Sequence, residues 1–313
     1  MKAYRRGRGK LLILLLSAAG TLAAQGPGNP EQQPEFIKQG LQLMRQGKLD
    51  QALALYVEIL RTSPDSLPAN MAAGSTLDLL GRGQQARSYF AKAVQIADSP
   101  ERKAMAQRAM AISYAFEGDC QKTAYYERQV FDYYVTVKNA YEQGEIADEA
   151  ARVCIDSGDL DSAYPWYKTG HDSGLKETDI KPARVDLWEF RWEHAQARLA
   201  ARRGNQAGAQ KHVAAAKAIL DKGAIPEQAP FFPYLTGYVA FYGQDYKTAL
   251  EDFLQANQHD PFIQCMIGQT YEKLGDSTNA VKFYRQAVAA ISHNPPAAYA
   301  VPLAKKRLAT LGS

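Results

Sequence analysis

The sequence predicts an all-α protein, a solenoid of stacked helix pairs, and three observations lead there. Two segments repeat at a spacing of 34 residues: Gly40, Leu43, Gly47, Ala52, Tyr56 and Ile59 have counterparts at Gly74, Leu77, Gly81, Ala86, Phe90 and Ala93. Within each, the residues 5, 9 and 12 places after the second glycine lie on one helical face, and the glycine itself reads as a helix end and turn. Turn residues of this kind then recur along the chain, at Gly118, Gly158, Gly204, Gln244 and Gly275. One helix pair cannot bury its apolar face alone, and stacking neighbours creates a continuous core.

The chain has 313 residues, 46% apolar and 22% charged, which excludes wholesale disorder and a collagen-like or polytopic membrane protein. Residues 1–24 carry Lys2, Arg5, Arg6, Arg8 and Lys10 and no acid. Removing these five from 37 bases leaves 32 against 33 acids, so the net charge of +4 belongs to the N-terminus and gives no argument for nucleic-acid binding. A basic start, an apolar stretch from Leu11 to Ala24 and small residues at Thr21, Ala23 and Ala24 read as a cleaved signal peptide over 1–24. The apolar stretch is short for a membrane span. The Gly- and Pro-bearing segment 25–33 reads as a flexible linker.

Further copies follow the first two. The third has Ala111, Tyr114, Gly118 and Val130, with Thr123 where alanine is expected. The fourth has Ala151, Cys154, Gly158, Ala163 and Tyr167, with Ser162 as expected cap and Pro165 in the first turn of its second helix. The fifth has Ala197, Gly204, Ala209 and Ala216. The sixth has Gly237, Ala240, Ala249, Phe253, Ala256 and Pro261, and the seventh Gly268, Tyr271, Gly275, Ala280, Tyr284 and Ala287. Prolines at 226, 230 and 233 make the start of segment 223–233 a loop. Residues 297–313 read as a capping helix whose Lys305, Lys306 and Arg307 lie on a solvated face.

This pattern resembles the tetratricopeptide repeat (TPR) family, a helix–turn–helix module of 34 residues. The family's small residue, leucine, turn glycine, alanine, aromatic, apolar residue and proline fall on Gly40, Leu43, Gly47, Ala52, Tyr56, Ile59 and Pro64. The resemblance implies a right-handed α-solenoid over 34–296, with about seven copies near 33–66, 67–100, 101–137, 138–173, 178–222, 230–260 and 261–294. It implies a scaffold that binds a protein or an extended peptide, here exported to the periplasm or outside the cell and acting in complex assembly. The first helix of each pair would line the concave side. Copy one offers Pro34, Ile37, Leu41, Met44 and Arg45 there, and copy two Pro68, Met71, Ser75, Asp78 and Leu79. That is not the family's lysine and asparagine clamp on a peptide carboxylate. Two other stripes are candidates for a peptide groove: Phe231, Tyr234, Tyr238, Phe241 and Tyr242 in copy six, and Arg191, His194, Arg198 and Arg202 in copy five. The alternative is that the aromatics are core and the arginines pair with Glu145, Asp148, Glu149 and Asp156. The cluster Tyr125, Tyr126, Phe131, Tyr133 and Tyr134 is expected to fill the junction of copies three and four.

On the same resemblance, Cys120 and Cys154 lie at one edge of adjacent repeats, which allows a disulfide and leaves Cys265 free. The alternative is three small buried hydrophobes, which the extra residues between copies three and four favour slightly because they blur the register.

Motifs for chemistry are absent from the sequence. There is no His-x-x-x-His, Cys-x-x-Cys, Walker loop or Gly-x-Ser-x-Gly elbow, and His171-Asp172-Ser173-Gly174 reads as turn chemistry. No enzyme, metal, cofactor or small-molecule substrate is expected. An envelope hydrolase with an unrecognised site, or a structural protein tethered by a retained signal, are the competing readings, and the membrane enters only with the second.

Overall fold

The computed structural model describes residues 33–311. The expected signal peptide and the linker up to Gln32 lie outside the described residues. Fourteen helices form seven antiparallel pairs: α1 (Glu35–Arg45) with α2 (Leu49–Thr62), α3 (Leu67–Leu80) with α4 (Gly83–Ile96), α5 (Pro100–Ala115) with α6 (Cys120–Thr136), α7 (Ala140–Ser157) with α8 (Leu160–Gly174), α9 (Pro182–Arg202) with α10 (Gln206–Leu220), α11 (Phe232–Tyr242) with α12 (Tyr246–Gln255), and α13 (Pro261–Lys273) with α14 (Ser277–Val288). A last helix, α15 (Pro295–Leu311), follows, and no strand occurs among the described residues. The fold is an all-α solenoid.

The turn inside each pair is written locally. Gly47, Gly81, Gly118, Gly158, Gly204 and Gly275 all adopt positive φ, and Gln244 does so at 65°, a conformation that costs a non-glycine residue about 1–2 kcal/mol. From the third pair onward the next residue caps the second helix. The side chains of Asp119, Asp159, Asn205, Asp245 and Asp276 each accept from a backbone N–H in the first turn, typically ~1 kcal/mol per cap. In copy four this moves the helix start to Leu160, so Pro165 sits inside α8 and not in its first turn. Its missing N–H leaves the Asp161 carbonyl without a helical donor. The expected loop after Gly223 contains a 3-10 turn over Pro226–Phe231.

Packing within a pair follows a second rule. A Cβ built on Gly40 would lie 2.0 Å from the Tyr56 hydroxyl, and one on Gly74 2.6 Å from the Phe90 ring. Each small residue of a first helix thus makes room for the residue 16 places on. In copy three that place holds Glu127, fully buried, with neither carboxylate oxygen hydrogen-bonded. Burial, then the nearby Glu149, pushes its carboxyl well above the usual range, against the pull of Arg108. Thr123, the other departure in this copy, is also fully buried, but its hydroxyl donates to the Ala111 carbonyl at 3.2 Å. Of the aromatic cluster expected in this junction, Phe131 is buried, whereas Tyr125 is 64% exposed.

Cys120 and Cys154 form a disulfide with Cα atoms 4.8 Å apart, and Cys265 is free and buried. The extra residues do not blur the register. They lengthen both legs of the α6–α7 hairpin around the turn at Lys138 (φ 56°), and the two cysteines lie at nearly equal distances from that turn.

α15 is more than the solvated cap expected for 297–313. It begins at Pro295, packs on α13 and α14, and crosses the stack to α5 and α7. Lys305 donates to the Leu79 carbonyl at 2.6 Å and Arg307 pairs with Glu272, so of the three basic residues only Lys306 is exposed. Just before it, His293 lies between the rings of Phe90 and Phe116, at 5.3 and 5.4 Å, and its Nε2 is 2.8 Å from Asp78.

Candidate functional site

The two stripes read from the sequence meet each other inside the stack. On α9, Arg191 binds back to copy four: its Nε donates to Asp148 at 3.0 Å and its Nη1 to Glu145. The remaining arginines reach forward to copy six, and Arg198 also reaches back to copy four. Arg198 donates to the Tyr234 hydroxyl at 3.1 Å and to Tyr167 at 2.6 Å. Arg202 reaches Tyr238 at 3.5 Å and places its guanidinium 5.0 Å from the Tyr242 ring. Equivalent positions of consecutive first helices therefore form a ladder of guanidinium–carboxylate and guanidinium–phenol rungs.

As a surface for an incoming peptide the ladder is closed. Tyr234, Tyr238, Phe241, His194 and Arg198 are buried. Phe231, Tyr242, Arg191 and Arg202 are half-buried, and the last three are already engaged within the ladder. The cover comes from α13 and α7: Phe262 lies 5.7 Å from Tyr234, and Arg152 of α7 stacks 4.8 Å over Phe262. Tyr299 of α15 adds a ring 4.9 Å from Phe262. Carboxylate pairing accounts for Arg191 alone, since Glu149 is taken by Arg108 and Asp156 lies 3.8 Å from Arg152.

Burial sets the electrostatics. It drives the His194 imidazole well below its ordinary range, assisted by Arg198 and Arg152, so the ring is neutral. It lifts Asp148 to about 6 against the pull of Arg191, while Glu145, though burial opposes it, is held below the ordinary range by the same arginine. Asp156 is also lifted to about 6 by burial, against Arg152, Arg198 and Arg202. Among the described residues its carboxylate accepts no hydrogen bond.

Arg152 is not among the residues that the sequence singles out, although the register holds it: it follows the small Ala151 as Arg198 follows Ala197 and Tyr238 follows Gly237. Asp156 enters the sequence reading only as a partner for the arginines of copy five.

Asp156 opens on a cleft of about 390 Å³ between α5, α7, α13 and α15. No group of three or more acidic, histidine or cysteine side chains able to hold a metal occurs among the described residues, and no helix there is long and apolar enough to cross a membrane. A buried serine–acid–histidine contact is present, but it is centred on the acid. Ser113 donates to Asp78 Oδ1 at 2.9 Å, and His293 contacts Oδ2 of the same carboxylate.

No curated protein matches the chain in sequence. Among solved structures, the nearly identical TPR-like repeats assigned to a kinesin light chain of Podosopora anserina are 16% identical, with TM-score 0.49, covering 60% of this chain and 94% of that one. A tetratricopeptide repeat protein from Parabacteroides merdae is 14% identical, with TM-score 0.47, over 81% of this chain and 91% of that one. The Cut9 and Hcn1 hetero-tetramer of the APC/C gives 15% identity and TM-score 0.44, over 80% of this chain and 45% of that one. Two family matches, both described as tetratricopeptide repeat, fall on residues 37–101 and 263–294, at opposite ends of the stack whose helix pairs and turns are described above. Residues 37–101 and 263–294 of the chain are thus tetratricopeptide repeats.

Proposed function

We propose that this chain is exported and acts as a scaffold that holds another protein, or an extended peptide, during assembly of an envelope or secretion complex. The scaffold role rests on the stack of tetratricopeptide repeats, an architecture that presents extended surface. Export is supported by the Cys120–Cys154 bridge, because disulfides persist in oxidising compartments. The basic and then apolar start of the sequence agrees with it. An envelope hydrolase has less support: Ser113 donates a hydrogen bond to the Asp78 carboxylate, which also holds His293, so the histidine does not stand between serine and acid as in a catalytic triad.

The test is affinity capture of the mature exported chain with crosslink sites mapped. A saturable partner crosslinked along the repeats is expected, and the absence of any saturable partner overturns the reading. N-terminal sequencing of the same material separates a cleaved signal, starting near Ala24 or Gln25, from a retained membrane tether.

A further inference from the structure

The cleft where α15 crosses the stack is a built site. Its volume of about 390 Å³ is in the range of ligand pockets, roughly 300–1,000 Å³. Its walls are mostly apolar, with Phe116 and Val153 on one side and Pro295, Pro302 and Leu303 on the other. The disulfide ties the two neighbouring walls, since Cys120 follows the Gly118 turn and Cys154 precedes Asp156 by two residues. Such fixing lowers the ordering cost of binding.

Two acceptors of the cleft lack a hydrogen-bond donor among the described residues, the Asp156 carboxylate and the Ala298 carbonyl. Asp156 has only a 3.8 Å ion contact with Arg152. Pro302 has no N–H to give to the Ala298 carbonyl four residues back, and Ala298 lines the cleft. Among the donors, Gln269 donates to the Tyr299 hydroxyl at 3.3 Å and Ser157 to the Cys154 carbonyl at 2.9 Å, Tyr299 keeps its own O–H, and Arg152, behind Asp156 and outside the lining, leaves Nε and Nη2 without a hydrogen bond. Lys306 is free but exposed, so solvent screens its charge.

Charge narrows the ligand further. An ammonium entering beside Asp156 meets Arg152, Arg198 and Arg202, whose charges all act on that carboxylate. An anion meets Asp156 itself. A neutral donor on an apolar body avoids both, and phenol and indole are the side chains with that chemistry. We propose that this cleft takes a tyrosine or tryptophan side chain from an extended segment of the scaffold's partner, with its O–H or N–H donated to Asp156. The partner in this statement rests on the scaffold reading above, whereas the site is independent of it.

Ligand-observed NMR on the full mature chain tests the site with N-acetyl-tyrosinamide, N-acetyl-tryptophanamide and N-acetyl-phenylalaninamide. The first two are expected to bind on the order of tenfold more tightly than the third, for one hydrogen bond to a charged acceptor. Asp156→Ala erases that difference. Leu303→Trp, which fills the cleft from its apolar wall, blocks all three probes, with unchanged helicity as the control for folding. Equal binding of the three probes, or binding that survives Leu303→Trp, overturns the proposal. A captured partner that still binds the Leu303→Trp chain overturns the partner's role in it. Selective probe binding with no captured partner keeps the site and removes the scaffold reading.

Discussion

His293 Nε2 lies 2.8 Å from Asp78 Oδ2, across 215 residues of sequence, and both side chains are almost wholly buried. The contact joins the segment after repeat seven to the first helix of repeat two. The ring also fills the space between Phe90 and Phe116. Replacing it with alanine removes a hydrogen bond to a charged group and leaves a void.

His293→Ala is therefore expected to destabilise the fold by about 2–4 kcal/mol in urea unfolding. Limited proteolysis should cut first within 294–311. Combined with Asp78→Asn, the effects should be markedly less than additive, because both variants break one contact. Additive effects would show that the two residues act separately.

Glu127 predicts a pH dependence. Its folded carboxyl titrates well above the unfolded one because of burial, with Glu149 adding to it. Its contribution is fully present below the unfolded carboxylate pKa and is lost as pH rises towards the folded value. A glutamine side chain at this position would match the protonated acid in shape and does not titrate. Glu127→Gln should thus be near neutral at about pH 4 and increasingly stabilising towards about pH 8. Denaturant midpoints of both chains across that range check it, and a gap that shrinks as pH rises would refute it.

Thiol counting on the denatured exported chain should find one free thiol, Cys265, and three after reduction. The bridge spans a sequence separation of 34 residues, for which reduction is expected to cost about 3–4 kcal/mol. Three thiols without reductant would mean that the bridge does not form in the cell.

Tyr234 and Tyr238 are expected to behave as core. Tyr238→Ala should cost about 3–5 kcal/mol by removing a fully buried ring packed against Tyr234, Tyr242 and Phe262. Tyr238→Phe, which loses the long contact to Arg202 and the hydroxyl's hydrogen bond with Tyr242, should cost about 1–2 kcal/mol. Thermal unfolding distinguishes these outcomes from a surface tyrosine, for which both changes would be small.

The helix pairs were legible because their signals are local. A turn glycine, and a small residue of one helix facing a large one of the next, act within one repeat, as at Gly275 and at Gly268 with Tyr284, whereas the caps after the turns are missed, since the sequence reading puts Ser162 where Asp159 caps α8. The role of the Tyr234 to Tyr242 stripe was not legible. Whether such positions are open groove or core depends on Phe262, Arg152 and Tyr299 covering them, and those come from other repeats and from α15. Glu127 gave no warning either, since a charged residue in a helix usually faces water.

The crossing of α15 changes what kind of folding problem this chain poses. An open repeat array is nearly one-dimensional: its stability is a sum of neighbour terms, and its terminal units fray independently. Tying Lys305 to Leu79 and His293 to Asp78 adds contacts of very high sequence separation, which raise contact order and slow the search for the native topology. In exchange, unfolding of either end must break the same tie. The array is then expected to melt in one cooperative transition, with amide exchange in α3 and α15 governed by a common opening.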